Sequence, residues 1–202
     1  MSRIYKIGFY VFILIIALGV TYFNYTSNIL GENSKYLDSK SIKRYDSILK
    51  SASMLAEPIE DIKAFDLYNG TEILVPFVRP TIVLIMSGMG CHPCMHREFE
   101  YYQKIYHDKK YNIIAICDEI SRALIKKVKK IDKIEFPIYY MKDEGIKKYS
   151  FSDKYPQILF IYKNIVLSSC LPIPDDDDYS KWYAETVVKK YDKLSNDSKA
   201  EL

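Results

Sequence analysis

The chain has 202 residues, of which 49% are hydrophobic and 14% aromatic, and its formal net charge is +3. This hydrophobic content excludes a wholly disordered chain, and the near-neutral charge gives no reason to expect a nucleic acid or another polyanion as partner. Four cysteines are too few for a disulfide scaffold in a chain of this length. We therefore expect one globular domain of ordinary size.

The N-terminus carries an apolar segment from Ile7 to Phe23 that contains no charged residue. As a helix it would span about 26 Å, near the lower limit for crossing a bilayer. Arg3 and Lys6 precede it, so the positive-inside rule predicts an N-terminus in the cytoplasm and an exported domain. We expect residues 1–25 to be a single-pass signal anchor in the cytoplasmic (inner) membrane, with the domain in the periplasm or outside. A signal peptide cleaved after residues 17–19 and a buried core helix are the alternatives.

Hydrophobic periodicity and turn signals predict the remaining elements. A polar spacer covers residues 24–35, and residues 36–55 form an amphipathic helix that ends before Pro58. Strands are predicted in a hairpin around Asn69-Gly70, at 81–86, at 111–117, in a short piece at 137–141, and in a second hairpin at 157–162 and 165–169. Further helices are predicted at 95–107, at 121–131 with Ser121 as a cap, and at 179–194.

This order of elements predicts an α/β domain. Strand, helix and strand in succession imply a parallel pair with a right-handed crossover, and the late hairpin adds antiparallel strands. We expect a mixed central sheet covered by helices on both faces. The predicted organisation is an anchor at 1–25, a spacer and helix at 26–56, the domain at 57–195 and a tail at 196–202.

The motif Cys91-His92-Pro93-Cys94 stands between the strand at 81–86 and the following helix. The free N–H groups and positive dipole end of a helix N-terminus stabilise a thiolate, which is the nucleophile of disulfide exchange. Cys91 is therefore the candidate nucleophile, and Cys94 is close enough to resolve a mixed disulfide. Pro93 suits a first helical turn. His92, when protonated, would favour the thiolate and raise the reduction potential; the alternative is an exposed loop residue without that role.

Two other interpretations of the motif stay open. Cys91, His92, Cys94 and His96 are four soft or borderline ligands that could suit Cu(I) or Zn(II), which would make the chain a metal carrier. No second CxxC pair completes such a site in the sequence. Alternatively, the disulfide is only structural, in a folded interaction module.

The residues from about Ile59 to Leu194 resemble the TlpA/ResA-like branch of thioredoxin-fold proteins. The resemblance rests on FDLYNGTEI as the opening hairpin, RPTIVLIM as the central strand, GCHPCMHREF as the active-site helix, and YPQILFIYKN as a cis-proline loop with its hairpin. It implies a thioredoxin-like fold and a thiol–disulfide oxidoreductase with protein disulfide or dithiol substrates. It also implies electron exchange with a membrane thiol–disulfide carrier, and no cofactor is expected.

The resemblance further implies that Pro156 is cis and packs beside Cys91, which leaves the backbone of Tyr155 available to pair with a substrate strand. Three positions depart from the family pattern. Gly90 replaces the usual Trp, apolar Ile85 replaces an acid of the central strand, and Arg97 replaces the Glu of reductase-type members. Glu98 follows one residue later and is a candidate for the proton-transfer acid, but we expect it to be an exposed helix carboxylate.

Two further features have simple interpretations. The expected strand order separates Cys117 from Cys170 by three strand spacings, roughly 14 Å, so we predict no disulfide between them. The aspartates 175–178 are expected to be a solvated run whose negative charge suits the start of the last helix, in preference to a calcium site.

Overall fold

The computed structural model describes residues 39–86, 92–107, 111–142, 146, 149 and 156–200, the last six without their side chains. The predicted anchor and spacer lie outside these residues. Within the described part of the chain, no helix is both long and apolar enough to cross a membrane. The chain divides into two compact units, residues 1–42 and 43–202; of the first, only the opening turn of one helix is described.

Seven strands and four helices are described. The strands are β1 (Ile62–Asp66), β2 (Glu72–Val75), β3 (Thr81–Met86), β4 (Asn112–Asp118), β5 (Ile138–Met141), β6 (Gln157–Tyr162) and β7 (Ile165–Cys170). The helices are α1 (Ser39–Ala52), α2 (His92–His107), α3 (Arg122–Ile131) and α4 (Asp177–Ala200). All seven predicted strand positions are confirmed, and each predicted helix is present with shifted ends.

The strands form one mixed sheet in the order β2-β1-β5-β4-β3-β6-β7. β3, β4 and β5 run parallel, whereas β1 pairs antiparallel with β5, and β6 pairs antiparallel with β3. The apolar run of β3 is buried along its whole length, as a strand with neighbours on both sides and layers on both faces must be. β3 is therefore a rigid central support for the segment that follows it.

Both predicted hairpins form. β1 and β2 are joined through Gly70, whose φ of +72° is a conformation that glycine adopts without a steric penalty. β6 and β7 are joined by Lys163 and Asn164 with φ of 49° and 59°. Two successive positive φ values are typical of a type I′ turn, which matches the twist of the flanking strands.

Two hydrophobic clusters lie on opposite faces of the sheet, because alternate residues of a strand point to opposite faces. One contains Leu84 and Phe160 of the sheet together with buried side chains of α2, α3 and α4. The other contains Val83 and Leu159, covered by residues that include Ile146 and Tyr149. A mixed sheet flanked by helices is thus confirmed, and in the described residues α2, α3 and α4 all contribute to the cluster on one face.

The prediction that Cys117 and Cys170 are not bonded to each other is confirmed. Cys117 is on β4 and Cys170 ends β7, with β3 and β6 between them. Both are buried free thiols. Burial raises the pKa of Cys117 to about 12 and raises that of Cys170 further. Neither is suited to act as a nucleophile.

Two predictions about helix ends are wrong. Ser121 does not cap α3, because its backbone is already helical and its side chain makes no capping bond; its N–H instead donates to Asp118 Oδ1 at 2.7 Å. The aspartate run is not uniformly solvated, since Asp176 is fully buried. Arg44 Nε and Nη2 donate to its two carboxylate oxygens at 2.7 Å each, which satisfies the buried charge.

Candidate functional site

Helix α2 begins soon after β3, at the carboxyl end of the central strand. The sequence predicted a loop through residue 94, but α2 already starts at His92, because a proline is well suited to a first helical turn. Cys94 therefore lies within the first turn. Its side chain is buried, at 2% exposure, and it is disulfide-bonded.

The other residues of the motif differ in their surroundings. His92 and Pro93 are exposed at the first two positions of α2. Cys91 lies outside the described residues. The first turn of a helix has backbone N–H groups without intrahelical partners, so a sulfur at this point is next to a positive partial charge.

Pro156 is buried immediately before β6. Gln157, the next residue, pairs with Ile85 near the end of β3, so Pro156 lies at the end of the sheet where α2 begins. Tyr155 lies outside the described residues, and so does the predicted cis bond that joins it to Pro156. The sheet register nevertheless brings Pro156 to the same end of β3 as the motif.

Glu98 is the main residue that the sequence prediction misplaced. We expected an exposed carboxylate, yet Glu98 is only 1% exposed. It is four residues after Cys94, and residues at this spacing share one face of a helix with Cβ atoms about 5–6 Å apart. The buried stripe of α2 runs through Cys94, Glu98 and Tyr102, so the helical period was the signal that could have identified it.

The environment of Glu98 opposes its ionisation. Burial is the largest cause and raises the pKa of Glu98 above its ordinary value of 4.5. The nearby Ser180 hydroxyl, which makes no hydrogen bond of standard geometry, and the Arg97 guanidinium both lower this pKa. The effect of burial exceeds theirs, so the protonated form is favoured to a higher pH than in an exposed glutamate.

Arg97 links this region of α2 to the start of α4. Its Nε donates to Glu98 Oε1 at 3.1 Å, Nη1 donates to Asp177 Oδ1 at 2.9 Å, and Nη2 donates to the Ile173 carbonyl at 3.0 Å. The Arg97 side chain is only 14% exposed. The guanidinium therefore has three separate acceptors and stays anchored if any one of them is lost.

Further polar groups surround Glu98 inside the helical face of the sheet. Burial raises the pKa of Cys170, and the charge of Glu98 raises it further. The Tyr102 hydroxyl is buried and has no hydrogen-bond partner among the described residues, whereas the Tyr183 hydroxyl donates to Ser168 Oγ at 3.0 Å. This region is a buried polar cluster below α2, which the sequence did not reveal.

The structure does not support the metal-binding interpretation. Among the described residues, no group of three or more His, Cys, Asp or Glu side chains could hold a metal ion. His96, a proposed ligand, instead pairs through Nδ1 with Asp132 on the far side of α2 from Glu98. Cys91, another proposed ligand, lies outside the described residues.

Comparisons with known proteins identify the fold. No protein-family model matches the chain, and no curated protein matches it. Among solved structures, the C-terminal domain of a protein assigned as a thiol-disulfide oxidoreductase from Bacteroides thetaiotaomicron is similar, with a TM-score of 0.53 and 16% identity over 70% of this chain and 99% of that one.

Two other solved structures match over a similar region. The thioredoxin domain of a thiol-disulfide oxidoreductase from Bacteroides vulgatus has a TM-score of 0.48 and 18% identity, over 64% of this chain and 95% of that one. StoA from Bacillus subtilis has a TM-score of 0.47 and 17% identity, over 64% of this chain and 97% of that one. The Bacteroides thetaiotaomicron domain, together with the sheet order above, confirms the predicted fold: this chain has the thioredoxin-like α/β fold, a mixed sheet flanked by helices, that is found in thiol-disulfide oxidoreductases.

Proposed function

We propose that this chain is a thiol–disulfide oxidoreductase of the TlpA/ResA-like kind, held in the cytoplasmic membrane by residues 7–23 and active outside the cytoplasm. The observation that carries the proposal is the disulfide at Cys94, in the first turn of the helix that follows the central buried strand. The thioredoxin-like fold supports it, because this is the position at which such a fold exposes a reactive pair.

Cys91 is the partner that we assign to Cys94. The chain has four cysteines, and Cys117 and Cys170 are free thiols. In a pair separated by two residues, one cysteine attacks the partner and the other resolves the mixed disulfide. Cys94 is buried, so we assign the attack to Cys91 and the resolving step to Cys94.

The reaction with a protein disulfide proceeds in two steps. The Cys91 thiolate attacks one sulfur of the partner disulfide, forms a mixed disulfide and releases the partner's other sulfur as a thiolate. Cys94 then loses its proton and attacks the Cys91 sulfur, which releases the second partner thiolate and closes the Cys91–Cys94 disulfide. The partner gains two electrons, and a membrane thiol–disulfide carrier restores the reduced pair; the reverse sequence oxidises a dithiol.

In this scheme Glu98 is suited to make Cys91 and Cys94 differ in how readily they form a thiolate. An ionised carboxylate one helical turn from Cys94 repels a negative charge on that sulfur. Thiolate character is therefore favoured at Cys91 and disfavoured at Cys94. The backbone of Tyr155, before Pro156, would pair with an extended segment of the partner, and His92 would tune the potential when protonated.

Trapping tests the proposal with the full chain in its native membrane. Cys94→Ser should leave Cys91 linked to partner proteins, as adducts that disappear on reduction, whereas Cys91→Ser should trap nothing. Cys117→Ser is the matched control, because Cys117 is a buried free thiol on β4. If Cys94→Ser gives no adducts beyond those of Cys117→Ser, the exchange function is refuted.

The reduction potential of the pair then gives the direction of electron flow. A value near about −270 mV, like thioredoxin, would indicate a reductase, and one near about −120 mV, like DsbA, an oxidant. A value below about −300 mV would indicate a structural disulfide and contradict the proposal.

A further inference from the structure

Helix α1 packs onto the domain through its polar side. Ser47 and Ser51 are its buried residues. Ser47 Oγ donates to the Leu171 carbonyl at 2.6 Å, and Arg44 makes its paired bonds to the buried Asp176. The contacts that hold α1 are therefore hydrogen bonds and an ion pair.

The apolar side of α1 consequently faces away from the domain. Ile42 is 57% exposed, Tyr45 65%, Ile48 48% and Leu49 53%. Ile42, Tyr45 and Leu49 are spaced by three and four residues, which places them in one stripe along the helix. An amphipathic helix that packs the usual way buries such a stripe in the core, so this stripe requires a different partner.

We propose that this stripe rests on the lipid bilayer, with α1 lying in the interface between headgroups and acyl chains. The proposal rests on the membrane anchor of the proposed function. Fifteen residues separate Phe23, at the end of the apolar N-terminal segment, from Ser39 at the start of α1. Fully extended they reach at most about 54 Å, so the anchor keeps α1 within that distance of the membrane surface.

The charges and aromatic residues around the stripe fit a membrane surface. α1 has four cationic residues and one anionic residue. Lys43 falls between the apolar stripe and the packed side, where cations meet anionic headgroups, and Lys50 lies beside it, paired with Asp46 at 2.6 Å. Trp182, 55% exposed, stacks on Tyr179, and Arg44 lies over the same Tyr179 ring. Tyr179 is itself buried, and the exposed aromatic residues here are Trp182 and Tyr45 of the stripe. Exposed Tyr and Trp side chains are characteristic of proteins at this interface.

A second copy of the chain fits the stripe less well. A stable protein interface takes about 20–30 residues from each partner. The apolar side of α1 has four exposed apolar side chains on a helix of 14 residues. A helix that inserts one face about 5–10 Å into the bilayer needs an apolar area no larger than that of these four side chains.

Tryptophan fluorescence of the full chain in vesicles tests the proposal, since Trp182 is the single tryptophan. In a Trp182→Phe background, Leu49→Trp and, separately, Tyr45→Trp place one reporter on the stripe. Ile120→Trp is the control, because Ile120 is 87% exposed outside α1. The vesicles contain an anionic lipid, with and without bromine on the acyl chains.

Both stripe reporters should emit at shorter wavelength than the control and lose about half or more of their emission with brominated lipid, as expected at the depth of an interfacial helix. Quenching no greater than that of Ile120→Trp overturns the proposal. A shift to shorter wavelength without quenching, stronger at higher protein density, would indicate a second copy and also overturn it. Failure of the chain to float with the vesicles would also overturn the proposal. Disulfide exchange is measured separately in detergent, so failure here leaves the proposed function tested on its own.

Discussion

Replacing Glu98 by Gln removes a buried negative charge one helical turn from Cys94 without changing the shape of the side chain. We expect Cys94 of the reduced protein to form a thiolate more readily in this variant. The reason is electrostatic, because the carboxylate and a thiolate at Cys94 share the buried stripe of α2. The effect should grow as pH rises, since burial raises the pKa of Glu98 and the repelling charge is present only above it.

The size of the effect follows from Coulomb's law. Two unit charges about 6 Å apart repel by about 3 kcal/mol at an effective dielectric constant of 20. Arg97, whose Nε lies 3.1 Å from Glu98 Oε1, cancels part of this field. A remainder of about 1–2 kcal/mol corresponds to roughly a tenfold larger thiolate fraction at Cys94 when Glu98 is ionised.

The assay is the rate of alkylation of Cys94 by iodoacetamide in a Cys91→Ser background, followed by mass spectrometry between pH 5 and pH 8. Glu100→Gln is the matched control: Glu100 is on the same helix, is 70% exposed and pairs with Lys104, so its charge is screened by solvent. Equal rates in the two variants at pH 8 would refute the electrostatic role. A slower rate in Glu98→Gln would mean that Glu98 instead accepts the proton of Cys94.

Three further predictions concern stability and thiol accessibility. Asp176→Ala should lower the free energy of unfolding by about 2–4 kcal/mol in urea titration, because it leaves Arg44 without its buried partner; a loss below about 0.5 kcal/mol would contradict this. Glu98→Gln should stabilise the fold more at pH 8 than at pH 4.5. The pKa of Glu98 is higher in the folded chain than in the unfolded chain, so protonated Glu98 contributes its full stability below the unfolded pKa, and this contribution is lost as the pH rises through the folded pKa. A change in unfolding free energy on Glu98→Gln that is the same at both pH values would refute this prediction. Cys117 should resist alkylation at pH 8 until the protein unfolds, because burial raises its pKa to about 12; rapid labelling of the folded chain would show that β4 opens.

The sheet could be predicted from the sequence because its signals are local. The six apolar residues of β3 indicate a strand buried on both faces, and they are all buried. The turns at Gly70 and Asn164 need positive φ values, which these residue types adopt readily, and both have them. The pairings within the two hairpins and the parallel β3–β4 pair follow from hairpin and crossover rules, whereas the β1–β5 and β3–β6 pairings join strands that are distant in sequence.

The misplaced residues depend on contacts that are distant in sequence. Asp176 is buried because Arg44, 132 residues earlier, reaches it with two hydrogen bonds. Without that partner, a run of aspartates is expected to be solvated. The orientation of α1 has the same origin, since Ser47 and Arg44 find acceptors on the domain and thereby turn the apolar residues outward. Local periodicity predicts that a helix forms, but the partners decide which side of it is buried.

Arg97 and Glu98 show how contacts with a distant part of the chain affect the chemistry of the site. Reductase-type members of the resembled family have Glu at the position of Arg97, and here the carboxylate comes one residue later. Glu98 still faces inward, at four residues from Cys94, whereas Arg97 lies at the boundary with α4. Burial favours the protonated form of Glu98, whereas the guanidinium in contact with it stabilises the ionised form. Because Arg97 is also held by Asp177 and the Ile173 carbonyl, contacts at the start of α4 keep the guanidinium beside Glu98.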